Sequence, residues 1–93
     1  MRRLVWTASF LRAFKRCMRQ HSDFKVNVEQ VLRLLVDDPF DSRLRTHKLK
    51  GKLEGAWACS VTYELRLVFE FVKGANKQDD VLLIELGTNE EVY

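Results

Sequence analysis

Five residues in the second half of this chain carry side chains suited to proton exchange or phosphate contact: His47, Glu64, Arg66, Asn89 and Tyr93. Beside His47 runs a series of cations, Arg43, Arg45, Lys48, Lys50 and Lys52, with no acid among them. Together these types could cleave a ribonucleotide backbone. That chemistry needs a base for the 2′-hydroxyl, positive charge for the phosphate in the transition state, and an acid for the departing 5′-oxygen. His47 can carry the proton in either direction near neutral pH. Glu64 could take a proton or orient a neighbour. Arg66 presents a planar fork matched to two phosphate oxygens. Tyr93 could stack on a base or hydrogen-bond phosphate. Singly, each has a plain structural reading: a surface histidine, an exposed Arg66–Glu64 ion pair of little energetic weight, a terminal tyrosine used in packing.

Charge is unevenly distributed. Residues 1–42 carry eight Lys/Arg and five Asp/Glu, residues 43–52 five cations and no acid, and residues 53–93 three cations and eight acids. The overall +3 therefore conceals a concentrated positive segment, a natural contact for a polyanion. A solvated loop would carry the same charge, so composition alone does not separate the two.

The elements that must position these residues are readable from periodicity. Arg3 to Trp6 predicts a short strand, after which Thr7 or Ser9 can cap a helix. Phe10, Phe14, Cys17 and Met18 make one apolar face as far as Gln20, with Arg12, Lys15, Arg16 and Arg19 largely opposite. Ser22 or Asp23 is expected to cap a second helix whose apolar positions are Phe24, Val28, Val31, Leu32 and Leu35. Asp37, Asp38 and Pro39 end it, because the residue before proline avoids the helical region. The period then falls to two. Ala56 to Val61 is one strand, and Leu65 to Val72 a second, with Leu65, Leu67, Phe69 and Phe71 on a single face. Val81 to Leu86 is a central strand that Gly87 ends. The expectation is an α+β domain spanning residues 1–93, ordered β-α-α-β-β-β, with a helical hairpin on one face of a small, mainly antiparallel sheet. Glu64 and Arg66 should then stand on the opposite, open face, with Trp57 and Cys59 or their neighbours.

At 93 residues, 46% hydrophobic and 31% charged, the chain is globular and has room for one core. No apolar run approaches the roughly 20 residues of a membrane span, and none follows Arg2 and Arg3 as a signal peptide would require. A cytoplasmic protein without membrane contact is expected. Cys17 and Cys59 are expected to be reduced. Neither they nor the histidines form a cluster with metal-ligand spacing, so no metal or other cofactor is anticipated.

In combination the motifs point further. His47-Lys48-Leu49-Lys50-Gly51 with Gly55-Ala56-Trp57, then Leu65-Arg66-Leu67-Val68-Phe69, then Gly87-Thr88-Asn89-Glu90-Glu91-Val92-Tyr93 resemble the RelE/ParE toxin superfamily, and within it the YafQ-like branch of mRNA interferases. The resemblance covers the whole chain in element order and residues 47–93 in motif detail. It implies the toxin of a type II toxin–antitoxin module, cutting mRNA in the ribosomal A site by metal-independent attack of the 2′-hydroxyl. A cognate antitoxin would silence it in a hetero-oligomer, and Arg43–Lys52 would receive that partner's acidic residues.

By resemblance His47 matches a catalytic histidine, Glu64 a functional aspartate, Arg66 a phosphate-binding strand arginine, and Tyr93 a C-terminal aromatic. Two positions depart from the pattern. Asn89 stands where the branch has the histidine of G-T-H, and Ser60 where a second histidine or a basic residue is common. An amide can hydrogen-bond phosphate or ribose but cannot exchange a proton near neutrality. Losing an acid–base group typically costs about 10²- to 10⁴-fold in rate, which leaves open a weakened toxin, an inactivated copy, a variant changed to permit expression, or one that relies on His47, Glu64 and the ribosome. The same fold also admits a ParE-like toxin that binds gyrase, or a binding module without catalysis.

Overall fold

The computed structural model describes residues 2–74 and 78–88, apart from the Lys52 side chain. They form β1 (Leu4–Trp6), α1 (Ala8–Gln20), α2 (Lys25–Asp37), β2 (His47–Lys48), β3 (Trp57–Ser60), β4 (Leu65–Val72) and β5 (Asp80–Thr88). The strands lie in the order β1-β5-β4-β3-β2, with β1 parallel to β5 and every other pair antiparallel. Both helices pack on one face. This is the expected α+β architecture with one addition, the two-residue edge strand β2, too short to leave a periodic signal.

Thr7 joins three elements. Its hydroxyl oxygen accepts from Phe10 N (3.0 Å), capping α1, and its hydroxyl donates to Leu83 O on β5 (2.8 Å). The buried stripe of α1 is Phe10, Ala13 and Cys17. Arg16 reaches around to Glu85 at 3.7 Å. Neither Ser22 nor Asp23 caps α2. Ser22–Phe24 form a 3-10 turn, closed by Phe24 N donating to His21 O (2.9 Å), and Phe24 becomes the N-cap without a side-chain bond. The tighter turn consumes the polar pair, and the helix starts one or two residues later.

The core lies between the helices and the sheet. Phe10, Val28, Leu35, Leu65, Leu67, Phe69, Val81 and Leu83 are all 0–1% exposed. On β4 the predicted apolar face is the covered one. On β5 a bulge intervenes: Val68 pairs Glu85, but Phe69 pairs Leu83. The additional residue lets Leu83 and Leu86, three apart, both join the core, where strict alternation would send them to opposite faces. Gly87 does not end β5; it lies within the strand, opposite Arg66.

Cys17 and Cys59 are buried and unbridged. Asp80, 3% exposed, accepts from Arg3 N (3.0 Å) and lies 3.4 Å from the Arg3 guanidinium. Its carboxylate also fills the space where a Cβ on Gly74 would stand, within 2.5–2.7 Å. A side chain at Gly74 would have to displace that carboxylate.

Candidate functional site

Strand register decides which side chains share a face. His47 pairs Ala58, Ala58 pairs Val68, and Ser60 pairs Arg66. Cys59 and Leu67 belong to the helix-covered core, so His47, Ala58, Ser60, Arg66 and Val68 alternate to the opposite face. Of the alternatives open for β3, Trp57 and Cys59 turn toward the helices, and their neighbours Ala58 and Ser60 face outward. That outer face is not bare. Ala56, Ala58 and Val68 are buried there in a second small cluster, packed by Leu49 and Ile84. The polar end, around Ser60 and Arg66, is where a ligand can approach. By strand geometry the Cα atoms of His47 and Arg66 lie on the order of 12 Å apart, two strands and two residues away. Their long side chains can converge on one ligand across that span.

Arg45 sets the orientation of His47. It follows the 3-10 turn Ser42–Leu44 and adopts the left-handed conformation (φ 52°, ψ 41°), unfavourable for a residue with a Cβ by about 1–2 kcal/mol. The reversal presents its carbonyl to the imidazole, with Nδ1 at 3.0 Å. A carbonyl only accepts, so Nδ1 carries the proton in the neutral ring and the lone pair lies on Nε2. In this tautomer Nε2 is the nitrogen that can accept a proton.

Arg66 is fixed by its Nη1, which donates to Thr62 O (2.6 Å) and Leu65 O (3.2 Å). Glu64 lies just before β4, in the connecting turn and exposed, rather than on the strand's open face with Arg66; the chain is still reversing there, with Val61 N and Thr62 N both donating to Leu65 O.

The basic segment, continuous in sequence, divides in space. Arg43, Arg45 and Arg66 line one cleft of about 340 Å³ with Ser60, Thr62 and Tyr63. Lys48 and Lys50 line another of about 590 Å³, and Lys48 Nζ lies 5.4 Å above the Trp57 ring, on the helix side of the sheet. The division follows the chain: Arg43 and Arg45 belong to the 3-10 turn before β2 and its exit, Lys48 and Lys50 to β2 and the entry of the next 3-10 turn. Arg43 is held by Asp41 through a fork, Nε–Oδ1 3.0 Å and Nη2–Oδ2 2.9 Å. The Arg43 side chain, followed by the Arg43 backbone N–H, holds the Asp41 carboxyl down to about 2. Asn89 and Tyr93 lie outside the described residues, as does the Lys52 side chain; its backbone belongs to the 3-10 turn Gly51–Leu53. Among the described residues, no group of three or more His, Cys, Asp or Glu could hold a metal ion.

Arg43 and Arg45 were expected as cations; sequence reasoning missed how each is held, and missed Tyr63. The Asp41–Arg43 pair had a signal in its Asp-x-Arg spacing after a proline. The left-handed Arg45 had none. Tyr63, two residues before the Leu65–Phe69 motif, had no role assigned; it proves to be 90% exposed at the cleft.

Comparison with known proteins gives concordant results. Residues 2–93 match a family model described as a bacterial toxin of type II toxin–antitoxin systems, YafQ. Among solved structures, YafQ from E. coli strain BL21(DE3) superposes with a TM-score of 0.81 at 16% identity, covering 100% of this chain and 99% of that one. A YoeB/ParE toxin from Agrobacterium tumefaciens gives 0.76 at 23% identity, covering 94% and 98%. The YafQ chain in an E. coli DinJ–YafQ complex gives 0.79 at 15% identity, covering 100% and 99%. No curated protein sequence matches the chain significantly.

Proposed function

This chain belongs to the YafQ family, toxins of bacterial type II toxin–antitoxin systems, and from that premise we propose that it is a ribosome-dependent mRNA endonuclease. The observation that carries the reading is the His47 tautomer, set by the Arg45 carbonyl, on the same sheet face as Arg66. His47 Nε2 takes the proton of a ribose 2′-hydroxyl, and the 2′-oxygen attacks the adjacent phosphorus. The P–O5′ bond breaks, leaving a 2′,3′-cyclic phosphate and a 5′-hydroxyl. Arg66 and Arg45 offset charge on the phosphate oxygens as the transition state forms. The proton for the 5′-oxygen falls to Glu64 or to the ribosome, since an amide at position 89 cannot supply it. Tyr93 contacts the base or phosphate, and Lys48, Lys50 and Lys52 attract the message. No metal or cofactor takes part.

The partners in this reading are mRNA on the ribosome and a cognate antitoxin, whose acidic residues seat against Arg43–Lys52. The E. coli DinJ–YafQ complex supports the latter assignment by likeness of fold. Action on ribosomes implies the cytoplasm, and among the described residues no helix is long and apolar enough to cross a membrane.

Expression without antitoxin should arrest growth, with translation-dependent breaks in mRNA mapped by primer extension. Asn89→His should raise the cleavage rate, up to about 10²-fold or more if a proton donor is restored, and His47→Ala should abolish cleavage. Growth arrest with intact messages and trapped gyrase–DNA breaks would make the protein a gyrase poison and overturn the proposal. Intact messages for both native chain and Asn89→His would do the same.

A further inference from the structure

The turn between β3 and β4 carries a tyrosine that the cleavage chemistry leaves unused. Tyr63 is 90% exposed and borders the cleft lined by Arg43, Arg45 and Arg66. Four hydrogen bonds stiffen this turn: Val61 N and Thr62 N to Leu65 O (2.9 and 3.3 Å), Leu65 N to Thr62 Oγ1 (3.1 Å), and Arg66 Nη1 to Thr62 O (2.6 Å). The last bond ties the arginine expected to hold phosphate to the turn that bears the ring. An exposed aromatic on a hydrogen-bonded turn beside guanidinium groups, in a cleft whose lining includes no carboxylate, has the components of a nucleotide subsite: cations for the backbone and a π-face for a base.

We propose that Tyr63 is a base-stacking platform, holding an unpaired nucleobase of the RNA whose phosphate lies at Arg45 and Arg66. The inference rests on the RNA reading of this site and adds a substrate-positioning residue to it. The contact is sequence-tolerant, since every base has a π-face. It acts on substrate position rather than on proton transfer.

The test is fluorescence anisotropy with a labelled, unstructured decaribonucleotide, alongside cleavage of a message in reconstituted translation. Tyr63→Ala should weaken binding or lower kcat/KM roughly five- to 150-fold, the range for losing one stacked base. Tyr63→Phe should keep wild-type values. The salt slope should not change in Tyr63→Ala, since no cation is lost, whereas Arg45→Ala should make it shallower by about 0.7. Oligonucleotides with single abasic positions provide the coupling: one abasic site should weaken wild type and leave Tyr63→Ala indifferent.

If native protein neither binds nor cleaves RNA, the RNA reading fails and this inference with it. If native protein cleaves and Tyr63→Ala cleaves equally well, the platform alone is overturned. The platform is also overturned if Tyr63→Ala spares RNA and weakens only capture of the antitoxin, for the ring then serves the protein partner.

Discussion

A single carbonyl, Arg45 O, selects the imidazole tautomer of His47, whereas the two thiols play no such part. Cys59 is 0% exposed, and burial pushes its thiol up to about 12, with only partial relief from the Arg66 charge. In the unfolded chain the same thiol ionises near 9.0. Because the folded value is the higher, the unfolded state sheds this proton first. Stability is unaffected below about pH 9 and falls as pH rises toward 12, by up to about 1.4 kcal/mol per pH unit. Native protein at pH 8 should therefore react with thiol reagents at Cys59 only through unfolding. Urea titrations should show Cys59→Ala losing less stability than wild type between neutral pH and pH 10. Rapid labelling of Cys59 in the folded state would contradict this account.

Strain in one loop residue separates stability from ligand contact. Arg45 holds a conformation that glycine adopts without steric cost. Arg45→Gly should leave the melting temperature unchanged or raise it, by at most about 1 kcal/mol in stability, while RNA affinity falls. A melting temperature lowered by several degrees would mean that the arginine side chain, not the turn, holds this segment. Thr7→Ala removes the α1 cap and should cost about 1–2 kcal/mol in chemical denaturation; it also loses the bond to Leu83 O. The helices and long strands were legible because their signals are local: Phe10 to Cys17 at helical spacing, Leu65 to Phe71 at alternate positions. What was not legible depends on tertiary pairing. β2 exists only because His47 and Lys48 meet β3, the bulge on β5 only because Leu83 and Leu86 share a core, and the cluster at Ala58 and Val68 only because Leu49 folds over them. Likewise the basic run was visible as charge, yet its division into two clefts follows from the turns on either side of a strand too short to read.

Across the whole molecule, the two ends of the described chain are clasped together. Arg3 N and the buried Asp80 carboxylate form one bond, Val81 N and Arg3 O another, and Thr7 and Leu83 O a third. Asp80→Ala should destabilise the domain by about 1–3 kcal/mol, mostly by stranding the Arg3 N–H; the Arg3 guanidinium, 67% exposed, adds little. Gly74→Ala should disturb the same latch by displacing the carboxylate. If neither substitution shifts the urea midpoint, β1 is an ornament rather than a structural strand.

The parallel pairing of β1 with β5 also governs when the protein becomes dangerous. Leu4 is made early and its partner Val81 late. At roughly 5–20 residues per second, the interval between them is about 4–15 s of synthesis. Throughout that interval the sheet lacks its central strand, and α1 has no floor to pack on. The growing chain thus cannot present a finished sheet to the ribosome that is making it. A molecule proposed to attack translation waits, in its own synthesis, for β5.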